Sequence, residues 1–167
     1  METTALESEL RTQLKALLDG GQAHATFRDA VADLPLNLQG RTPTGLPYSP
    51  WQLLEHMRIA QRDILDFSSN EDGQYKPMKW PDSYWPKSPE PPAQDAWERS
   101  VEAIESDRAA FEQLLQARDL TVPFPWGDGQ NLLRQALLIA DHESYHVGEL
   151  IVTRRLLGAW KPKAGHA

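Results

Sequence analysis

Apolar residues recur at steps of three and four along most of this chain, with polar residues between them. That spacing places the apolar side chains on one face of a helix, because a helical turn takes 3.6 residues. We find no stretch with the alternation of a half-buried strand. The pattern predicts an all-α protein with helices over about residues 3–34, 50–70, 93–117 and 130–157.

The first predicted helix contains a glycine pair, Gly20 and Gly21. Such a pair costs about 2 kcal/mol in a helix interior, so the segment is either one kinked helix or two joined helices. Pro35 ends it. The positions that share its predicted inward face are Leu6, Leu10, Leu14, Leu17, Gly21, His24, Arg28 and Val31.

The second predicted helix has the clearest start signal. Ser49 suits the N-cap, Pro50 suits the first helical position, and Gln52 stands where a capping box needs it. Its inward face is predicted to carry His56 and Asp63 among apolar residues. In the fourth helix, Gly158 is the predicted stop.

Residues 71–92 form a long connection that contains prolines and three large aromatic residues, Trp80, Tyr84 and Trp85. Connections of this length are uncommon in compact domains and are often lids or binding loops. Disordered linkers are poor in aromatic residues, so we expect the segment to pack against the helices. Four long helices with these links predict a four-helix bundle, and the length favours a single domain over residues 1–167.

Composition narrows the classes of function. The formal net charge of −7 argues against nucleic acid as a partner, because phosphate binding needs clustered lysine and arginine. The absence of cysteine excludes disulfides, thiolate metal sites and a cysteine nucleophile, and it fits a reducing compartment. Neither a signal peptide nor an apolar run long enough to span a membrane is visible, so we expect a cytoplasmic protein.

Three histidines are the candidate metal-binding residues. His142 and His146 are four residues apart on a predicted helix, the spacing by which two imidazoles bind one metal ion. His56 lies on the predicted inward face of the second helix, and metal sites in bundles are built from facing helices. Three histidines with an open position are typical of a catalytic site, although histidines that merely pack in the core remain the alternative.

Three further residues are candidates for catalytic or supporting roles. Asp63 and Glu149 each lie seven residues after a predicted ligand, where either could accept a hydrogen bond from it or act as a base; a solvated or ion-paired role is the alternative. His24 is a candidate fourth ligand, supporting group or substrate contact, or else a partly buried histidine near the glycine pair.

The string from His142 to His146 also matches H-E-x-x-H, in which Glu143 would be the general base of a zinc protease. The metzincin extension is absent, since Val152 stands where a third histidine is needed. A protease also needs an edge strand to hold a peptide, and we predict no sheet. We therefore do not favour a protease.

With these histidines in place, the sequence resembles the DinB-like (YfiT-like) superfamily of metal-dependent four-helix proteins. The matching segments are SPWQLLEHMRIAQRDIL around His56 and LLRQALLIADHESYHVGELIVTRRLLG around His142 and His146. The segments AHATFRDAVADLP, YWPKSPEPP and PWGDGQNLLR also match, so the resemblance covers nearly the whole chain. It implies an up-down-down-up bundle, often a homodimer, with a divalent transition metal on His56, His142 and His146, most commonly zinc or nickel.

The resemblance leaves the reaction open among several functions. Characterised relatives are thiol-dependent, which favours an S-transferase that joins a low-molecular-weight thiol to an electrophilic small molecule. A metal-dependent hydrolase would use the same residues. A non-enzymatic metal- or ligand-binding stress protein is the third possibility. Trp51, Trp85, Trp126 and Tyr145 are candidates for the wall of an apolar pocket, and core packing explains each equally well.

Overall fold

The computed structural model describes residues 4–161, and within that range it is all-helical, without a strand. This confirms the predicted all-α class. The chain forms α1 (Ala5–Asp19), α2 (Phe27–Val31), α3 (Leu36–Gln39), α4 (Pro50–Ser68), α5 (Ala96–Ala117) and α6 (Leu132–Leu156), with a 3₁₀ turn at Asp82–Tyr84 between α4 and α5. None of these helices combines the length and apolar character that a membrane crossing needs.

Of the two alternatives for residues 3–34, the single kinked helix is wrong, and the structure shows separate helices with the non-helical residues 20–26 between them. Residue 3 lies outside the described residues, and α1 ends at Asp19 because Gly20 and Gly21 both adopt positive φ angles, of 72° and 79°. The chain becomes helical again at Phe27, after a capping box between Thr26 and Asp29. The glycine pair therefore separates two helices rather than bending one.

The predicted inward face of the first helix is also wrong in part. Leu14 and Leu18 are the buried residues of α1, whereas Leu6 is 70% exposed and Leu17 is 47% exposed. His24 lies in the connection between α1 and α2, outside any helix, and its side chain is exposed. Once the helix stops at Asp19, the periodicity that placed His24 on an inward face no longer applies.

The start signal of α4 is confirmed in detail. The Ser49 hydroxyl accepts a hydrogen bond from the Gln52 main-chain N–H, and the Gln52 side-chain oxygen accepts one from the Ser49 N–H, both at 3.2 Å. Pro50 is the first helical residue. The remaining bounds shift by at most three residues, and Gly158, at φ 68°, follows the end of α6 as predicted.

Helix α4 is the centre of the packing, because it lies against both α5 and α6, while α1 also contacts α5 and α6. One apolar cluster includes Trp51, Leu54 and Trp97, and a second includes Phe111 and Leu132. Burial of large apolar side chains is the main favourable term in holding such helices together.

The segment of residues 71–92 runs along α4 and is fixed to it by hydrogen bonds. The Ser49 hydroxyl donates to the Pro89 carbonyl at 2.6 Å, and the Gln52 amide donates to the Pro86 carbonyl at 3.1 Å. The expectation that its aromatic residues pack down is confirmed for the half-buried Tyr84 and Trp85 and is wrong for Trp80, which is 68% exposed.

Candidate metal centre

The three predicted histidines come together where α4 faces α6. His56 on α4 is 2% exposed, His146 on α6 is 7% exposed, and His142, one turn earlier on α6, is half-buried. The Nε2 atoms of His56 and His142 are 3.0 Å apart. One nitrogen from each of the three rings lies within 4.8 Å of the others. The three side chains are close enough to hold one metal ion.

Hydrogen bonds on the far side of two rings orient their free nitrogens toward this point. The Nδ1 atom of His56 is 2.9 Å from the Tyr84 carbonyl, and Nδ1 of His146 is 2.7 Å from the Glu149 carboxylate. Each partner is an acceptor, so both Nδ1 atoms carry the proton and both Nε2 atoms keep a lone pair. Metal-bound histidines typically make this kind of second hydrogen bond.

The separation between the nitrogens of His56 and His142 also fits a shared ion. Zinc–imidazole bonds are about 2.0–2.1 Å long, so two nitrogens on one ion at angles of about 90–110° lie roughly 3.0–3.4 Å apart. The 3.0 Å between Nε2 of His56 and Nε2 of His142 falls at the lower end of that range. Three neutral imidazoles suit zinc, nickel and similar divalent transition ions.

The electrostatics of the site keep the rings neutral. Burial lowers the pKa of His56 below its usual value, against opposing effects of the Tyr84 carbonyl and Glu149. Burial, followed by the nearby imidazoles, lowers the pKa of His142 to about 4, and burial and His56 lower that of His146 to about 4. Near neutral pH all three rings are therefore neutral, each with one N–H and one nitrogen lone pair, which is the state that a metal ligand requires.

Aromatic side chains surround the rings. Trp85 stacks on His56 with centroids 3.8 Å apart and planes 4° from parallel, and Tyr48 stacks in turn on Trp85 at 3.8 Å. Tyr145 meets His146 edge-on at 4.9 Å and is itself 64% exposed. Of the four aromatic residues considered from the sequence, Trp85 and Tyr145 lie at the site.

The other two aromatic residues pack elsewhere. Trp51 is buried in the first apolar cluster. Trp126 packs against the second cluster, where its indole N–H donates to the Phe67 carbonyl at 2.8 Å. On α6, Leu138 is 38% exposed, whereas its neighbour Ile139 is a core residue.

The three candidate catalytic residues occupy different surroundings. Glu149 contacts the His146 ring directly, and burial raises the pKa of Glu149, while a hydrogen bond with Tyr145 acts in the opposite direction. Asp63 instead accepts hydrogen bonds from Tyr75 and Tyr84 of the 71–92 segment. The ring of His24 contacts the carbonyl of its own neighbour, Ala25, at 2.9 Å. The fold brings Glu149 to the three histidines, whereas the hydrogen bonds of Asp63 and His24 go to other groups.

Glu143, the acid of the H-E-x-x-H string, forms an ion pair with Arg108 of α5. The two side chains are only 15% and 12% exposed. Burial raises the pKa of Glu143, and the Arg108 charge opposes that shift. The carboxylate is thus paired with an arginine of a neighbouring helix, an arrangement that does not favour Glu143 as the general base of a zinc protease.

The sequence did not reveal the Tyr84 carbonyl or the Tyr48 ring as parts of this site. A main-chain carbonyl has no residue signature, and Tyr84 is 28 positions from His56. The one sequence signal for these contacts was the Tyr84–Trp85 aromatic pair within a proline-rich segment. It predicted that the segment packs against the helices, but it did not predict which residues the pair contacts.

The fold and the site define a class of helical proteins with a three-histidine group that could bind a metal ion, two histidines on one helix and one on another. A family model described as the DinB superfamily matches residues 21–150, a range that includes all three histidines. The chain therefore belongs to the DinB superfamily. Neither the curated proteins nor the solved structures include a match to it.

Proposed function

We propose that this protein is a metal-dependent enzyme that joins a low-molecular-weight thiol to an electrophilic small molecule. The metal ligands in this proposal are His56, His142 and His146, with zinc or nickel as the ion. The observation that carries it is the 3.0 Å separation between Nε2 of His56 and Nε2 of His142. The His56 ring is held in place by the hydrogen bond from its Nδ1 atom to the Tyr84 carbonyl. Membership in the DinB superfamily and the resemblance to thiol-dependent relatives favour thiol transfer.

When bound, such an ion lowers the pKa of a thiol or a water molecule at its open position. The protein's own residues would hold the ion and accept the proton of the thiol. In the transfer, the sulfur loses its proton and bonds to the electrophilic carbon, and the leaving group departs with the electron pair of the broken bond. Glu149, the one candidate base that contacts a ligand ring, is the proposed proton acceptor. Asp63 and His24 are the less favoured candidates.

The surroundings of the rings support an organic substrate. Trp85 covers one face of His56, and the exposed Tyr145 stands beside His146, so a small molecule at this edge would meet aromatic surface. Apolar walls with a few polar groups are the usual lining of small-molecule sites. The aromatic stack also limits the access of water to the His56 ring.

The test begins with metal content, measured on untagged protein purified without chelator, beside a His142→Ala/His146→Ala variant. About one equivalent of zinc or nickel in the wild type, and loss of it in the variant, is the expected result. Loaded protein is then incubated with low-molecular-weight thiols and a chromogenic haloarene. Conjugation that needs both the thiol and the intact histidines supports the transferase.

Other outcomes assign the site differently. Metal-dependent cleavage of a nitrophenyl ester without added thiol would replace the transferase by a hydrolase. Stoichiometric metal without turnover of either probe would indicate a metal- or ligand-binding protein. No metal in the wild type, even after incubation with zinc and nickel, would refute the metal centre.

We also propose a homodimer and the up-down-down-up order of α1, α4, α5 and α6. The contacts of α1 and α4 with both α5 and α6 support the bundle. For the dimer, Asp141 and Arg155 are exposed and lie seven residues on either side of Gly148. A two-fold antiparallel pairing about Gly148 would place them opposite each other. The same exposed side of α6 carries large apolar residues: Leu137, Leu138, Tyr145, Val152 and Leu156.

A further inference from the structure

Tyr84 links two positions of α4 through opposite ends of the same residue. Its main-chain carbonyl accepts the Nδ1–H of His56 at 2.9 Å, and its side-chain hydroxyl donates to Asp63 at 2.6 Å. His56 and Asp63 are seven residues apart, which is two helical turns, so they lie on the same side of α4 about 10 Å apart along the axis. Tyr84 spans that distance.

The Asp63 carboxylate binds the 71–92 segment at a second point. Its other oxygen accepts a hydrogen bond from the Tyr75 hydroxyl at 3.1 Å. Residues 76–83 of the segment lie between the two tyrosines, and Tyr84 closes the 3₁₀ turn Asp82–Tyr84. Hydrogen bonds to a carboxylate are shorter and stronger than those between neutral groups. Asp63 is thus an anchor for the part of the segment that reaches His56.

The position of the Tyr84 carbonyl has two effects on His56. It selects the tautomer with the proton on Nδ1, which leaves the Nε2 lone pair for the ion, and it sets the rotation of the ring. The next residue, Trp85, stacks on the same ring and limits its tilt. A displaced Tyr84 would therefore loosen both contacts at once.

We infer that Asp63 is a positioning residue for the metal ligand His56 and acts through Tyr84. This inference rests on the proposed metal centre and gives Asp63 a role other than proton acceptor. Both oxygens of the Asp63 carboxylate accept hydrogen bonds from tyrosine hydroxyls. Asp63 is connected to the His56 ring through Tyr84, whose hydroxyl binds Asp63 and whose carbonyl binds His56.

The two tyrosines provide a matched pair of variants for the test. Tyr84→Phe and Tyr75→Phe each remove one hydroxyl that donates to Asp63, but only Tyr84 also contacts His56. Asp63→Ala removes the anchor for both, and Asp63→Asn restores one acceptor. Each variant is made in the full-length untagged chain.

The measurements are zinc affinity, by competition with a chromophoric chelator, and the visible absorption spectrum of the cobalt(II) form, which reports ligand geometry. Thermal unfolding of the metal-free proteins shows whether each variant folds. We expect Tyr84→Phe and Asp63→Ala to lower zinc affinity about tenfold and to shift the cobalt bands, since changes in groups that orient a ligand cost about 10–100-fold. Tyr75→Phe should stay within twofold, and Asp63→Asn should recover part of the loss.

Three results would overturn the inference. Unchanged affinity and spectrum in folded Tyr84→Phe and Asp63→Ala would show that the ring does not depend on the anchor. Equal losses in Tyr75→Phe and Tyr84→Phe would indicate a general effect of the segment rather than positioning of His56. Failure of the wild type to bind zinc or cobalt would refute the metal centre itself, and the positioning role with it.

Discussion

Replacing Glu149 with glutamine removes the negative charge of the group that accepts a hydrogen bond from the Nδ1–H of His146 and leaves a neutral acceptor of nearly the same shape. The bond is 2.7 Å long, and the two side chains are 36% and 8% exposed. A hydrogen bond to a charged group contributes about 1.5–3 kcal/mol and a neutral one about 0.5–1.5, so the difference is about 1 kcal/mol. Because the same bond is present without the ion, this difference is an upper limit on the change in binding, and the expected result is a loss of zinc affinity of up to about fivefold.

Glu149→Ala removes the whole bond and should cost more. Groups that orient a metal ligand contribute about 10–100-fold to affinity, and the partial exposure of Glu149 places its contribution near the lower end. We therefore expect about a tenfold loss for the alanine variant. The order wild type, glutamine, alanine follows from the successive removal of the charge and of the acceptor.

Asp141→Asn is the matched control, because it removes one negative charge from α6 beside His142 at an exposed position. Zinc affinity is measured by chelator competition at pH 7.5 for all four proteins. The control should change affinity by less than about twofold, since an exposed charge is screened. Equal losses in Asp141→Asn and Glu149→Gln would refute the reasoning, because the effect would then be one of net charge and not of the hydrogen bond.

Three other predictions follow from the structure. Glu143→Ala leaves the largely buried Arg108 unpaired and should destabilise the fold by about 3 kcal/mol, measured by chemical denaturation. Zinc affinity, measured by chelator competition, should stay within twofold, and a large loss would indicate a metal-site role for Glu143. Because the pKa values of His142 and His146 are lowered to about 4, the unfolded chain takes up protons first, so the melting temperature of metal-free protein should fall as the pH drops from about 6.5 toward 4. His142→Gln/His146→Gln should flatten this decline, and circular dichroism melts with the same slope in both proteins would contradict it. Val152→Glu, on the exposed side of α6, should convert the proposed dimer to a monomer, as measured by light scattering. Leu36→Glu, at another exposed apolar position, should leave the dimer intact. A monomeric wild type would contradict the proposed dimer.

Most of the regular structure could be predicted from the sequence. The apolar periodicity and the capping residues Ser49 and Gln52 located α4, and the same reasoning located α5 and α6 to within a few residues. Helix formation and capping depend on neighbours within about four positions, so the information is local. The pairing of His142 with His146 is local for the same reason.

The sequence also identified the candidate metal ligands, by two different kinds of argument. The spacing of His142 and His146 follows from helix geometry alone. The addition of His56 depended on its predicted inward position and on the resemblance to a known family, because no local rule relates residues 86 positions apart. The structure then brought all three rings together, as expected.

Other features were decided only by the tertiary structure. The glycine pair was compatible with a kink or a break, and the chain breaks there, which leaves His24 exposed outside a helix. Glu143 pairs with Arg108, and the Tyr84 carbonyl with His56, across 35 and 28 positions. Which distant polar groups meet depends on how the helices and the 71–92 segment pack, since each buried donor or acceptor must find a partner in the space that packing leaves. The sequence by itself determined α4, α5 and α6 and identified the candidate ligands, whereas packing determined which groups surround them.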